Sequence, residues 1–251
     1  MPSDHPHTNR IYFETNQGIR IPSVSAEEMR AVDQLAEETY SLGVLQMMEN
    51  AGRTLALHAM QLCQNASRIL LLTGSGGNGG GGLACMRHLI NHGYHVDLLM
   101  TKSPDALSRA AKRQYAVLKA SGYDAQPTDA LDSLLSNASL VIDAIFGYSL
   151  KGAPRGLAKT FIQSLDPSRL PILSLDIPSG VDATTGAAPG VSILPTRTLT
   201  LALPKHGLKK VAGTLFLADI GIPNRVYEQI GLDLGPIFGS EHWLELTSPG
   251  G

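Results

Sequence analysis

Cysteine is scarce: Cys63 and Cys85 are the only two in 251 residues. Two cysteines cannot build a disulfide framework. Both fall in segments of helical pattern, so they read as small buried apolar residues and suit a reducing cytoplasm. Charged residues are only 17% of the chain, the net charge is −2, and no basic block occurs. An extended nucleic-acid surface is therefore not expected. No run of about 18 apolar residues is present, so no membrane-spanning helix is expected. No Cys/His set has zinc spacing. His5 and His7 sit in the polar, proline-broken stretch 1–10. That stretch reads as a disordered arm, neither a secretory leader nor a metal site.

What the chain has in excess is glycine, concentrated at one place. Residues 74–82 read Gly-Ser-Gly-Gly-Asn-Gly-Gly-Gly-Gly, directly after the apolar run 68–73 and before the helix-like stretch Leu83–Ile90. A turn needs one or two glycines, and each further one costs backbone entropy on folding. Strand, glycine loop and helix N-terminus together make an anion site. The expected ligand carries phosphate, most simply as a nucleotide. Gly74-x-Gly76-x-x-Gly79 matches the dinucleotide fingerprint, but the acid expected at the end of the next strand is missing: Asp97 lies mid-strand and the strand ends at Thr101-Lys102. No Gly-Lys-Ser/Thr follows the loop, and no Gly-x-Ser-x-Gly elbow appears.

Around the loop the pattern alternates. Ser25-Ala-Glu-Glu28 is a capping box for a helix with Met29, Val32 and Ala36 on one face. A second helix is expected over 43–64, its methionines filling core. Then follow strand 68–73, helix 82–92, strand 94–100, helix 104–121, helix 128–136, strand 139–145, helix 156–165 and strand 171–175, with further strands near 197–203 and 214–218. Strands separated by helices indicate α/β: a Rossmann-like three-layer α/β/α sandwich with a mostly parallel sheet. Residues 1–20 read as an arm, 21–235 as the domain and 236–251 as a tail.

Ligands of such a sheet bind beyond the carboxyl ends of its strands. Asn78 follows the first strand. Asp143 interrupts the apolar run Leu-Val-Ile-Asp-Ala-Ile. A buried carboxylate there must be paired, hydrogen-bonded or bound to a cation, or it caps a helix. Asp176 ends a strand before Ile-Pro-Ser179-Gly-Val-Asp182, either as a turn former or as a chemical group. Gly147 to Ala153 forms a second glycine-bearing loop with Lys151, and Lys205 and His206 follow another strand. The ordinary reading of these lysines is solvated surface charge, and that of His206 a loop residue.

Five segments together resemble one family, the YjeF N-terminal domain or NAD(P)H-hydrate epimerase family. They are Met47-Met-Glu-Asn-Ala-Gly-Arg53, the loop 74–82 with Leu83-Ala-Cys-Met-Arg-His-Leu89, Val141 to Gly147, Leu175 to Asp182, and Asp219-Ile-Gly-Ile-Pro223. They occur in the family's order across roughly residues 22–232. The resemblance implies interconversion of the R and S hydrates of NADH and NADPH, a repair reaction, and a fold that often dimerises. It implies a potassium ion held by Asn78, Asp143 and Ser179. It implies substrate contacts from Gly77, Asn78, Gly79, Gly80 and Gly81, from Gly147, Tyr148, Ser149, Leu150, Lys151, Gly152 and Ala153, and from Asp176, the essential acid and the catalytic candidate. The family's loop usually reads Asn-Asn-Gly-Gly-Asp-Gly, so Gly77 and Gly81 depart from it. An ADP- or ATP-dependent dehydratase would be a separate protein. The alternative is a nucleotide-binding or scaffold module, since the same fold serves as a scaffold in an enhancer of messenger-RNA decapping.

Overall fold

The computed structural model describes residues 10–63, 67–165 and 169–247. His5 and His7 lie outside the described residues. The chain order is β1 (Tyr12–Thr15), β2 (Arg20–Pro22), α1 (Ala26–Glu38), α2 (Val44–Leu62), β3 (Arg68–Thr73), α3 (Gly77–Asn91), β4 (His95–Met100), α4 (Arg109–Ala120), α5 (Leu131–Asn137), β5 (Leu140–Ala144), α6 (Gly156–Gln163), β6 (Ile172–Leu175), β7 (Arg197–Leu201), β8 (Thr214–Ala218), α7 (Asn224–Gln229) and β9 (Trp243–Thr247).

One sheet contains all nine strands in the order β2-β1-β9-β8-β7-β6-β5-β3-β4. From β8 to β4 neighbouring strands are parallel, while β9, β1 and β2 form an antiparallel edge. Alternation along the strands feeds two cores. Ile69 and Leu71 of β3 face the side covered by α1 to α4, whereas Leu70 and Leu72 face Leu131 of α5 and Phe161 of α6. The result is the expected three-layer α/β/α sandwich.

α1 forms as its local signals require. Ser25 accepts from the Glu28 N–H and the Glu28 carboxylate accepts from the Ser25 N–H, while Met29, Val32 and Ala36 are buried.

Three expectations change. The helix expected over 104–121 is a 3-10 turn, Pro104–Ala106, followed by α4. Ser108 caps α4 with its hydroxyl on the Ala111 N–H, which requires extended backbone at Ser108 and interrupts the helix. The helix expected from 82 starts at Gly77, inside the glycine run. Finally, Tyr12–Thr15 of the supposed arm is β1 and Trp243–Thr247 of the supposed tail is β9. They pair with each other through Glu14↔Thr247 and Thr15↔Leu246.

Candidate active site

The strand order reverses at β3. The chain passes from β3 to β4 on one side and returns with β5 on the other. A crevice opens at such a point, and α3 starts beside it. The glycine run is there largely because the protein packs against itself. A Cβ on Gly79 would stand 2.0 Å from the Gly74 carbonyl oxygen, one on Gly80 would meet Met48, and one on Gly82 would lie 2.6 Å from Ala144 Cβ. These glycines let α3 sit directly on the sheet and on α2. Gly76 and Gly77 meet no such obstacle: nothing lies within 4 Å of a Cβ on Gly76, and only Met48 Cε, at 4.0 Å, approaches one on Gly77.

Asn78, in the first turn of α3, donates to the carbonyls of Phe146 (2.9 Å) and Leu175 (3.2 Å), tying α3 to the ends of β5 and β6. Asn78 lines the crevice, and its side-chain oxygen makes no hydrogen bond among the described residues. Asp143 in β5 is fully buried. It accepts from the Ser179 hydroxyl at 2.6 Å, the Ser179 N–H and the Ser174 hydroxyl at 2.9 Å, and the Ile145 N–H at 3.2 Å. Burial raises its pKa and these bonds oppose the rise. None of these donors is cationic. Phe146 N–H donates to Ser179 Oγ, which links this cluster to Asn78. A carboxylate, a hydroxyl and an amide oxygen are the donor types that suit a hard monovalent cation. Among the described residues no group of three or more His, Cys, Asp and Glu could hold a metal ion, so such a site would add neutral oxygens to the one carboxylate of Asp143.

Asp176 follows β6 with φ +68°, a left-handed conformation that costs about 1 kcal/mol or more for a non-glycine residue. It is held there by its N–H on the Leu199 carbonyl (2.7 Å) and by two donors on its carboxylate. Lys205 Nζ binds Oδ1 at 2.5 Å and the Tyr148 N–H binds Oδ2 at 2.9 Å. Lys205 is itself fully buried and also donates to the Leu201 carbonyl and Thr200 Oγ1. The surface-charge reading of Lys205 is therefore corrected. The sequence signal was a lysine just past a strand end, but its partner lies 29 residues away. At its other end Tyr148 donates its hydroxyl to Asp33 Oδ2 at 2.6 Å. Burial is the main reason the Asp33 pKa is raised. Asp33, on the buried side of α1, carried no local signal. Gly147 is confined between these groups, since a Cβ there would be 2.9 Å from Asp176 Oδ2.

Two cavities meet at this point. One, of about 210 Å³, contains Asp33, Tyr148, Asp176 and Lys205 against the apolar side chains of Met29, Val44, Met47 and Met48. The methionines expected as core filling thus also form a cavity wall. The second, a groove of about 560 Å³, is lined by Lys102, Lys151 and Arg155 with no carboxylate. Gly77, Asn78, Gly147 and Ser149 border both, whereas Gly81 borders the first alone and Leu150 the second alone. Gly79, Gly80, Gly152 and Ala153 line neither cavity. His206 binds Ser23 through Nδ1, away from both.

No helix among the described residues is long and apolar enough to cross a membrane. The crystal structure of yeast ynu0, YNL200c, superposes with a TM-score of 0.77 over 89% of this chain and 99% of that one, at 24% identity, and so supports the fold. An NAD(P)H-hydrate epimerase of Dehalogenimonas lykanthroporepellens is 44% identical over 226 residues, 88% of this chain and 91% of that protein. A bifunctional NAD(P)H-hydrate repair enzyme Nnr of Moorella thermoacetica is 35% identical over 81% of this chain, which spans 41% of its length. The family model described as YjeF-related protein N-terminus matches residues 44–207, the stretch that runs from the methionine wall of the cavity to just beyond Lys205. Fold, site and sequence agree, and the chain belongs to the YjeF-related N-terminal family.

Proposed function

We propose that this chain is an NAD(P)H-hydrate epimerase, an isomerase that interconverts the R and S hydrates of NADH and NADPH. The observation that carries the reading is the pairing of a small acidic cavity with a basic groove at the sheet's switch point. At about 210 Å³ the first cavity falls below the roughly 300–1,000 Å³ of drug-sized sites, so it suits one substituted ring. The rest of a dinucleotide needs the groove, where the first N–H groups of α3 and three cationic side chains suit its phosphates.

The hydrate carries its hydroxyl on the ring carbon beside the nicotinamide nitrogen. Inverting that centre requires a proton acceptor at the hydroxyl and a negative charge beside any cationic character of the ring. Asp176 is assigned both roles, oriented by Lys205 and the Tyr148 N–H. Asn78, Asp143 and Ser179 would hold a potassium ion, which would supply positive charge beneath the crevice. Supporting this, Asp143 lacks a cationic partner among the residues that bind it.

An ADP- or ATP-dependent dehydratase activity would be this chain's functional partner, as the two-function names of the bifunctional relatives suggest. A homodimer in the cytoplasm is the expected setting, and the two free cysteines suit it. The test is recovery of NADPH from mixed R and S hydrates with an S-specific dehydratase, in potassium buffer and with potassium replaced by sodium. The parent protein is expected to consume both epimers faster than spontaneous epimerisation, and Asp176→Asn to stall at the S fraction. Asparagine tolerates a positive φ, and a circular-dichroism spectrum and thermal unfolding compared with the parent check that the variant is folded. A parent protein that stalls at the S fraction refutes the epimerase reading.

A further inference from the structure

Opening and reclosing the ring requires two proton transfers at two different atoms, one at the hydroxyl oxygen and one at the ring nitrogen. One carboxylate bound to a buried lysine provides one of them. The ring cavity contains a second carboxylate, Asp33, whose hydrogen-bond partner is the Tyr148 hydroxyl. Tyr148 binds Asp176 with its backbone N–H and Asp33 with its phenol. Tyr148 thus bridges the two carboxylates, and all three side chains line the same cavity. A buried acid on an amphipathic helix usually caps, pairs with a cation or is excluded from the core. Asp33 instead faces the cavity and takes part in no salt bridge among the described residues.

Resting on the epimerase reading, we propose that Asp33 and Tyr148 are the second proton-handling pair of the ring cavity, Tyr148 meeting the substrate and Asp33 acting through it. In the forward step Asp176 takes the hydroxyl proton and the O–H electron pair becomes the second C–O bond. The C–N bond breaks, and its electron pair goes to nitrogen. Nitrogen takes the Tyr148 hydroxyl proton, and Asp33 in its protonated form resupplies Tyr148, reversing the hydrogen bond that Tyr148 donates to it. Rotation about the adjacent C–C bond presents the other face of the aldehyde. Reclosure returns both protons to their origins, so no co-reactant is consumed. Burial favours a protonated Asp33, as do the negative charges of Asp176 and Glu37, while the Tyr148 hydroxyl and Lys205 oppose them.

The test compares Asp33→Asn, Tyr148→Phe, their double variant and Asp176→Asn in the coupled hydrate assay from pH 5 to 9, with the NADP-induced thermal shift as the binding readout. Tyr148→Phe and Asp33→Asn are each expected to lower kcat about 100-fold with KM changed less than about 3-fold. The double variant falls no further than Tyr148→Phe, and Asp33→Asn loses the high-pH decline of kcat. Retention of kcat within about 3-fold in both single variants, or an unchanged high-pH decline in Asp33→Asn, overturns the inference. Loss confined to Asp176→Asn removes this pair but leaves the epimerase reading intact. Full activity in Asp176→Asn as well removes the assignment of Asp176. Should Asp33→Asn fail to fold, Tyr148→Phe decides alone.

Discussion

Lys205 shows how much a single residue can depend on its partner. Its side chain and that of Asp176 are 1% and 5% exposed, so each charge is tolerated only because the other is present. Removing one leaves the other buried without its counter-charge. Lys205→Met is therefore expected to lower the unfolding free energy by roughly 3 kcal/mol, and adding Asp176→Asn to restore most of that loss. Urea midpoints of the two single variants and the double variant measure the coupling. Simple additivity would contradict the ion-pair account. The pair was only half legible in the sequence. Asp176 stood out at a strand end, but nothing local distinguishes a buried lysine from a surface one, because the burial comes from β6, β7 and the 147–150 loop closing over it.

At the scale of elements, α3 is set by close approach rather than by helix propensity. Its first six residues, Gly77 to Gly82, include five glycines, each costing a helix up to about 1 kcal/mol relative to alanine. The gain is contact. Gly79 lies on the Gly74 carbonyl and Gly82 on Ala144, where a Cβ would overlap backbone or side chain. Gly79→Ala is expected to cost about 3 kcal/mol, as forced overpacking does, whereas Gly76→Ala should change stability by less than ~0.5 kcal/mol. Thermal unfolding of the two variants side by side checks the contrast, and equal effects would reject it. The sequence pointed to this run as special but assigned it wholly to the ligand. The structure divides it: Gly74, Gly79, Gly80 and Gly82 serve packing, while Gly77, Asn78 and Gly81 reach the cavity. By contrast α1 was legible from end to end, because its cap and its apolar stripe are both local.

Across the whole molecule, His58 joins the α2 layer to the antiparallel end of the sheet. Its ring packs 4.8 Å from Phe216 of β8 and 4.8 Å from Trp243 of β9, and Arg197 of β7 donates to Nδ1. Burial, then the Arg197 charge, pushes its pKa down to about 4. The unfolded chain, titrating near 6.5, binds the proton more readily. Stability from neutral His58 is thus present above pH 6.5 and is lost as pH falls toward 4. Between pH 7 and pH 5 the loss should be about 2 kcal/mol, and His58→Phe should remove that part of the pH dependence. Urea titrations at both pH values measure it. Equal pH slopes in the parent and His58→Phe would show that His58 is not the cause.

The sequence by itself determined the α/β class, the cap of α1, most strand positions and the strand-end residues Asn78, Asp143, Asp176 and Ser179, since periodicity, capping and a misplaced polar group are all local signals. Its order of motifs also carried the family resemblance. Tertiary structure decided three further things. β1 and β9, short strands from opposite ends of the chain, meet across the sheet edge. Four of the glycines face protein rather than ligand. Asp33, Tyr148 and Lys205 gather around Asp176 from α1, the loop after β5 and the turn after β7. Each of these depends on contacts between segments far apart in the chain, and such contacts form only when the hydrophobic faces of the sheet and helices close on one another.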